Sequence, residues 1–206
     1  MNYTYPHIFH FEKSSTENEC RVLIHFHGTG GNERDLLPLA KQLYPGVNYL
    51  GVRGNVSEHG MPRFFRRLTE GVFDEADIRQ RSLELHSFIT EIGQELQLDL
   101  SKSVAMGYSN GANIITAINF LHPGLFETSV LLRPMTPLVP EPLPDLTGKK
   151  VWLSFGSNDP LMPLGETEKL SGLYASANAA LTVNIEVAGH QLVQGDLIKA
   201  HAYLNK

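Results

Sequence analysis

Apolar residues recur along this chain in two rhythms. Near-continuous apolar runs at residues 21–26, 47–52, 104–106, 128–132 and 151–155 have the pattern of strands covered on both faces. Residues 5–11, rich in aromatics, predict a first strand at a sheet edge, and residues 181–187 a last one. Between these runs the spacing changes to three and four. Leu36, Leu39, Ala40 and Leu43 share one side of a helix that begins at Asp35 and is stopped by Pro45-Gly46. Ile78, Leu85, Phe88, Ile89, Ile92 and Leu96 line one face of a long amphipathic helix over residues 74–98. Further helices are predicted after residue 109, closing at His122-Pro123-Gly124, and over 166–177 and 194–204.

Alternation of this kind implies an α/β fold with a mainly parallel sheet of about seven strands and helices on both faces. Two stretches break the rhythm. Residues 53–73 carry Arg53, Arg63, Arg66 and Arg67 among Met61, Phe64, Phe65 and Phe73 with no clean period, which predicts an ordered, functional loop. Residues 133–148 contain five prolines and predict an extended surface loop. With no repeat and no linker, residues 1–206 are expected to form a single domain without a large lid.

In parallel sheets, ligand-binding loops lie beyond the C-terminal ends of the strands. Chemistry should therefore follow a strand. Gly107-Tyr108-Ser109-Asn110-Gly111 follows one and precedes a helix, which is the setting of a nucleophile elbow. Asp159 and His190 follow two later strands. A serine hydroxyl needs a base within hydrogen-bond reach, and an imidazole oriented by a carboxylate supplies it. Ser109, Asp159 and His190 are thus the candidate catalytic residues. The backbone N–H groups of Thr29, in His27-Gly28-Thr29-Gly30-Gly31, and of Asn110 are the candidate oxyanion donors.

Other groups receive quieter assignments. His201 sits on an apolar helix face and is expected to be packed; Asp145 lies among prolines, and Asp196 is expected to cap a helix. Asp159 has the same capping alternative. His25 and His27 share a strand face but lack a third ligand, so no metal or cofactor is expected. Cys20 excludes an internal disulfide and is expected to be a packed or edge-strand residue.

A net charge of −5, with no basic block longer than a pair, gives no support to nucleic-acid binding. The first eleven residues lack a signal-peptide pattern and no run is long enough to insert in a membrane, which makes the cytoplasm the expected location. The partner is expected to be a small-molecule ester, and a homodimer is an allowed state.

The runs 27–36, 53–58 with 63–67, and 107–113, together with Gly156-Ser157-Asn158-Asp159-Pro160 and Gly189-His190, resemble the phospholipase/carboxylesterase family of α/β-hydrolases. That family includes acyl-protein thioesterases; the nearer likeness is to small bacterial carboxylesterases associated with hydroquinone and catechol stress. The resemblance implies the α/β-hydrolase fold, a serine carboxylesterase, and a triad at Ser109, Asp159 and His190. Thioesterase members resemble G-F-S-Q-G at the elbow, where this chain has Tyr108 and Asn110. A thioesterase or lysophospholipase, and a non-catalytic protein binding a phenolic ligand, are the alternatives. Met61, Phe64, Phe65, Met135 and Met162 are expected to line an apolar pocket. Arg53, Arg63 and Arg133 are expected to form structural ion pairs with Glu58 and Glu70, or else to recognise an acidic or phenolic group.

Overall fold

Seven strands form the central sheet of the computed structural model, which describes residues 6–69, 71–162 and 164–206. They are β1 (Phe9–Glu12), β2 (Val22–Phe26), β3 (Asn48–Val52), β8 (Val104–Tyr108), β9 (Thr128–Leu132), β10 (Lys150–Gly156) and β11 (Ala180–Glu186), in the order β1-β3-β2-β8-β9-β10-β11. Every neighbouring pair is parallel except β1 with β3. The fold is that of an α/β-hydrolase. β1 occupies the expected edge; the start of the predicted first strand, at residue 5, lies outside the described residues.

Period-two alternation on these strands feeds two cores. Val22, Ile24 and Phe26 of β2 and Val151, Leu153 and Phe155 of β10 pack under helices α2 (Glu75–Glu95), α3 (Asn110–Leu121) and α4 (Glu166–Ser176). Leu23 and Trp152, one residue out of step, pack on the other face under α1 (Leu37–Leu43) and α5 (Gln194–Leu204). Fully burying one such side chain contributes about 1.5–3 kcal/mol, so both faces of the sheet must be covered. The α2 start is fixed by Asp74, whose carboxylate accepts from the Asp77 amide at 3.1 Å. A cap of this kind is worth about 1 kcal/mol.

The stretch 53–73, expected as an ordered loop, carries regular strands that its sequence does not suggest. It folds into two short hairpins, β4 (Val56–Glu58) with β5 (Met61–Arg63) and β6 (Arg67–Thr69) with β7 (Val72–Phe73). Three-residue strands are too short to leave a period in the sequence. Between β9 and β10 no strand or helix forms, as the prolines require. Cys20 is exposed just ahead of β2 rather than packed. Among the described residues, no helix is long and apolar enough to cross a membrane, and no group of His, Cys, Asp and Glu is placed to hold a metal ion.

Candidate active site

β8 lies in the middle of the sheet, and its last residue leads into Ser109, which stands at φ 52° and ψ −115° before α3. A non-glycine residue at positive φ is strained, and the neighbours hold it there. The Ser109 amide donates to the Leu132 carbonyl at 2.8 Å, and the Asn113 amide donates to the Ser109 carbonyl at 3.0 Å. Glycine is required on both flanks because the backbones nearly touch. A Cβ at Gly107 would stand 2.6 Å from the Ala112 amide nitrogen, and one at Gly111 would stand 2.1 Å from the Phe26 carbonyl oxygen.

The loops after β10 and β11 bring two partners to this serine. His190 Nε2 lies 2.9 Å from Ser109 Oγ, and His190 Nδ1 lies 2.7 Å from Asp159 Oδ2. Asp159 is buried, and its other oxygen accepts from the Leu161 amide at 2.9 Å, which fixes the carboxylate's orientation. With Nδ1 donating to a carboxylate, Nε2 is the acceptor that faces the hydroxyl. The elbow also supports the His190 loop directly. Tyr108 donates its hydroxyl to the His190 carbonyl at 3.0 Å, and the two rings stand 5.4 Å apart.

His190 is held from behind by Arg133. This residue follows β9 at φ 54° and is fully buried. Its guanidinium donates to the Gly189 carbonyl at 3.1 Å and the Gln191 carbonyl at 2.9 Å, so it clasps both neighbours of the histidine. The remaining donors go to Ser154 Oγ and, in a fork of 2.9 and 2.8 Å, to Asp196. Arg133 therefore serves the structure, and among the described residues every N–H of its fork is used. Burial opposes ionisation of Asp196, but the bonds from Arg133, Ser154 and the Val193 amide outweigh it and hold the carboxyl below its usual range. Asp196 also accepts from the Val193 amide at 2.8 Å, the expected helix cap. Arg133 and Asp196 are 63 positions apart, and no local pattern marks them as a pair.

Across β8 from this machinery lies the glycine-rich loop after β2. His27 Nε2 accepts from the Gly54 amide at 3.0 Å, which leaves Nδ1–H to donate to the Gly28 carbonyl at 2.6 Å. Burial lowers the His27 pKa and keeps the ring neutral for that role. Among the described residues, no turn or loop hydrogen bond consumes the amide of Thr29 or of Asn110.

A cavity of about 550 Å³ opens over Ser109 and His190, lined by Thr29, Asn110, Asn113, Met135 and Met162 among others. Met135 is set by its own amide, which donates to Asn113 Oδ1 at 2.7 Å. Three expected lining residues lie elsewhere. Phe64 is buried against the rings of Phe26 and His27 at 5.4 and 4.8 Å, and Phe65 is buried edge-on to Phe73 at 5.2 Å. Met61 is exposed on its hairpin beside Gly30. Burying two phenylalanines is worth more than exposing them to a cleft, and Phe73, backed by Phe65, lines the cavity instead. Arg63 pairs with Glu58 at 3.2 Å and Arg53 with Glu33 at 2.5 Å; Glu70 lies outside the described residues. His201 is exposed and bonds the Gln42 carbonyl at 3.0 Å, far from this chemistry in the fold.

Known proteins resemble this chain over nearly its whole length. It is 42% identical over 193 residues to MhqD of Bacillus subtilis (strain 168), a protein provisionally named a hydrolase, covering 94% of this chain and 95% of the other. The crystal structure of a Bacillus cereus carboxylesterase is 44% identical, with a TM-score of 0.92 over 97% of this chain and 93% of that one. A carboxylesterase from Mesorhizobium loti is 26% identical, with a TM-score of 0.91 over 98% and 95%. No protein-family model matches the sequence.

Proposed function

This chain belongs to the α/β-hydrolase family of MhqD and the Bacillus cereus carboxylesterase, and from that membership we propose that it is a serine carboxylesterase acting through a Ser109–His190–Asp159 triad. The observation that carries the reading is the pair of bonds through His190, 2.9 Å to Ser109 Oγ and 2.7 Å to Asp159 Oδ2. A protein that only bound a phenolic ligand would have no use for a base coupled to a hydroxyl at the floor of its cavity. Both solved relatives described above are carboxylesterases, which favours oxygen esters over thioesters.

In the proposed reaction Ser109 Oγ attacks the ester carbonyl carbon while its proton passes to His190 Nε2. Asp159 keeps the imidazole oriented and stabilises the imidazolium. The negative charge that develops on the carbonyl oxygen is taken by the N–H groups of Thr29 and Asn110. The imidazolium then protonates the leaving alcohol, and the C–O bond breaks to leave an acyl-Ser109. Water, deprotonated by His190, attacks this intermediate; the acid departs and Ser109 regains its proton. The described residues form the proposed catalytic domain, and a reducing, cytoplasmic setting agrees with the single cysteine.

A fluorophosphonate probe tests the assignment. Wild type should label stoichiometrically and hydrolyse p-nitrophenyl acetate; Ser109→Ala should do neither. Labelling of the variant at the wild-type rate would overturn the assignment.

A further inference from the structure

Strand order divides the cleft into two walls. Thr29, Arg63 and Arg67 reach it from connections after β2 and β3, on one side of β8. Met135, Leu161 and Met162 reach it from connections after β9 and β10, on the other. The second wall is apolar. The first carries two guanidinium groups, and among the described residues that line the cavity there is no Asp or Glu.

Glu58 gives these arginines part of a structural explanation. Its carboxylate lies 3.2 Å from Arg63 Nε and 2.7 Å from Arg67 Nε. Among the described residues one carboxylate faces two cations, which leaves this wall with an excess of positive charge. The donors are unequally used. Arg63 donates Nε to the Phe65 carbonyl at 3.3 Å and Nη1 to Thr29 Oγ1 at 2.7 Å. Arg67 uses Nε alone, and among the described residues neither of its Nη groups has a partner. The side chain of Arg63 is 5% exposed and that of Arg67 is 28% exposed, so the unused fork is the accessible one. An unspent guanidinium fork in a partly desolvated cleft is suited to a carboxylate, which it binds through two parallel hydrogen bonds.

We propose that this wall binds a carboxylate on the acyl part of the substrate, so that the enzyme hydrolyses half-esters of dicarboxylic acids, with Arg67 as the anion ligand and Arg63 behind it. The inference rests on the serine-esterase reading. Orientation follows from the chemistry of that reaction. The leaving alcohol must lie toward His190, which protonates it, and the oxyanion must lie toward Thr29 and Asn110. The acyl chain is then directed away from His190, toward the arginine wall, and the alcohol falls to the apolar one.

Matched ester pairs decide the matter. Ethyl butyrate, pentanoate and hexanoate are compared with monoethyl succinate, glutarate and adipate, following acid release by wild type, Arg67→Gln and Arg67→Lys. Each protein is also labelled with the fluorophosphonate. At least one half-ester should exceed its uncharged match in kcat/KM by about tenfold in wild type, the scale of a charge-assisted hydrogen bond. That ratio should fall about tenfold in Arg67→Gln and recover in part in Arg67→Lys. A ratio at or below one for every pair, or one that Arg67→Gln leaves unmoved, overturns the proposal. If wild type labels and hydrolyses ethyl butyrate with no preference, this inference alone fails. If it neither labels nor hydrolyses any ester, the esterase reading fails and this inference with it.

Discussion

The Phe64 amide donates to Asn110 Oδ1 at 2.8 Å, tying the residue after Ser109 to the end of the hairpin that also holds Thr29. The same hairpin accepts the Gly30 amide on the Pro62 carbonyl at 2.9 Å and reaches Thr29 Oγ1 through Arg63 at 2.7 Å. Three consecutive residues thus brace both proposed oxyanion donors. Asn110→Ala keeps the backbone donor but frees it from this brace. We expect kcat on p-nitrophenyl butyrate to fall by roughly tenfold, short of the roughly 10²–10³ that follows loss of a donor. KM should change less. An unaltered kcat in steady-state assays would show that the elbow alone fixes the amide.

Asp159→Asn should leave the fold intact and cripple the chemistry. An amide in place of the carboxylate favours the wrong imidazole tautomer, and in a related constellation on another fold this costs about 10⁴ in kcat. The expected result is a loss of that order, with a thermal midpoint close to wild type. Loss of stability in place of activity would reassign Asp159 to loop capping through the Leu161 amide.

Arg133→Lys isolates orientation from charge. Lysine still offers a cation to Asp196 but cannot also hold the carbonyls of Gly189 and Gln191, now bonded at 3.1 and 2.9 Å. We expect a reduced kcat and slower fluorophosphonate labelling, because His190 is no longer clasped. Arg133→Ala leaves a buried carboxylate unpaired and should lose roughly 3–5 kcal/mol in denaturant titrations.

Acid should weaken the fold through His25. This residue is fully buried on β2, neither ring nitrogen has a hydrogen-bond partner among the described residues, and burial lowers its pKa to about 4. The unfolded chain, titrating near the ordinary value of about 6.5, therefore binds more protons than the fold between these limits. Stability contributed by the neutral ring is full above that upper limit and is lost as pH falls toward the lower one, by about 3 kcal/mol in all. Urea midpoints measured from pH 7 to 4 should show this slope, and His25→Leu should make it shallower, leaving the part contributed by other buried imidazoles such as His27.

The sheet was legible because its strands are covered on both faces and announce themselves as unbroken apolar runs. The positions of Ser109, Asp159 and His190 at strand ends were legible for the same reason: in a parallel sheet, chain order and sheet edge are coupled. The cleft lining was not. Phe64 and Phe65 stand in the bend between two hairpins whose strands are too short to carry a period, so composition suggested a pocket where packing has made a core. Arg133 gave no local signal either, since its partner Asp196 lies in the last helix. Tyr108 was visible as the first variable position of the elbow, yet its bond to the His190 carbonyl depends on how closely two loops approach.

The pair Arg133–Asp196 also sets an order of events in the making of the enzyme. A growing chain emerges from its N-terminal side, so the elbow and most of the sheet precede α5. Until α5 docks, Arg133 lacks the carboxylate that anchors the guanidinium clasping the histidine loop. The Ser109 turn is therefore synthesised first, and on the proposed mechanism it waits for the helix that completes the sheet's second face.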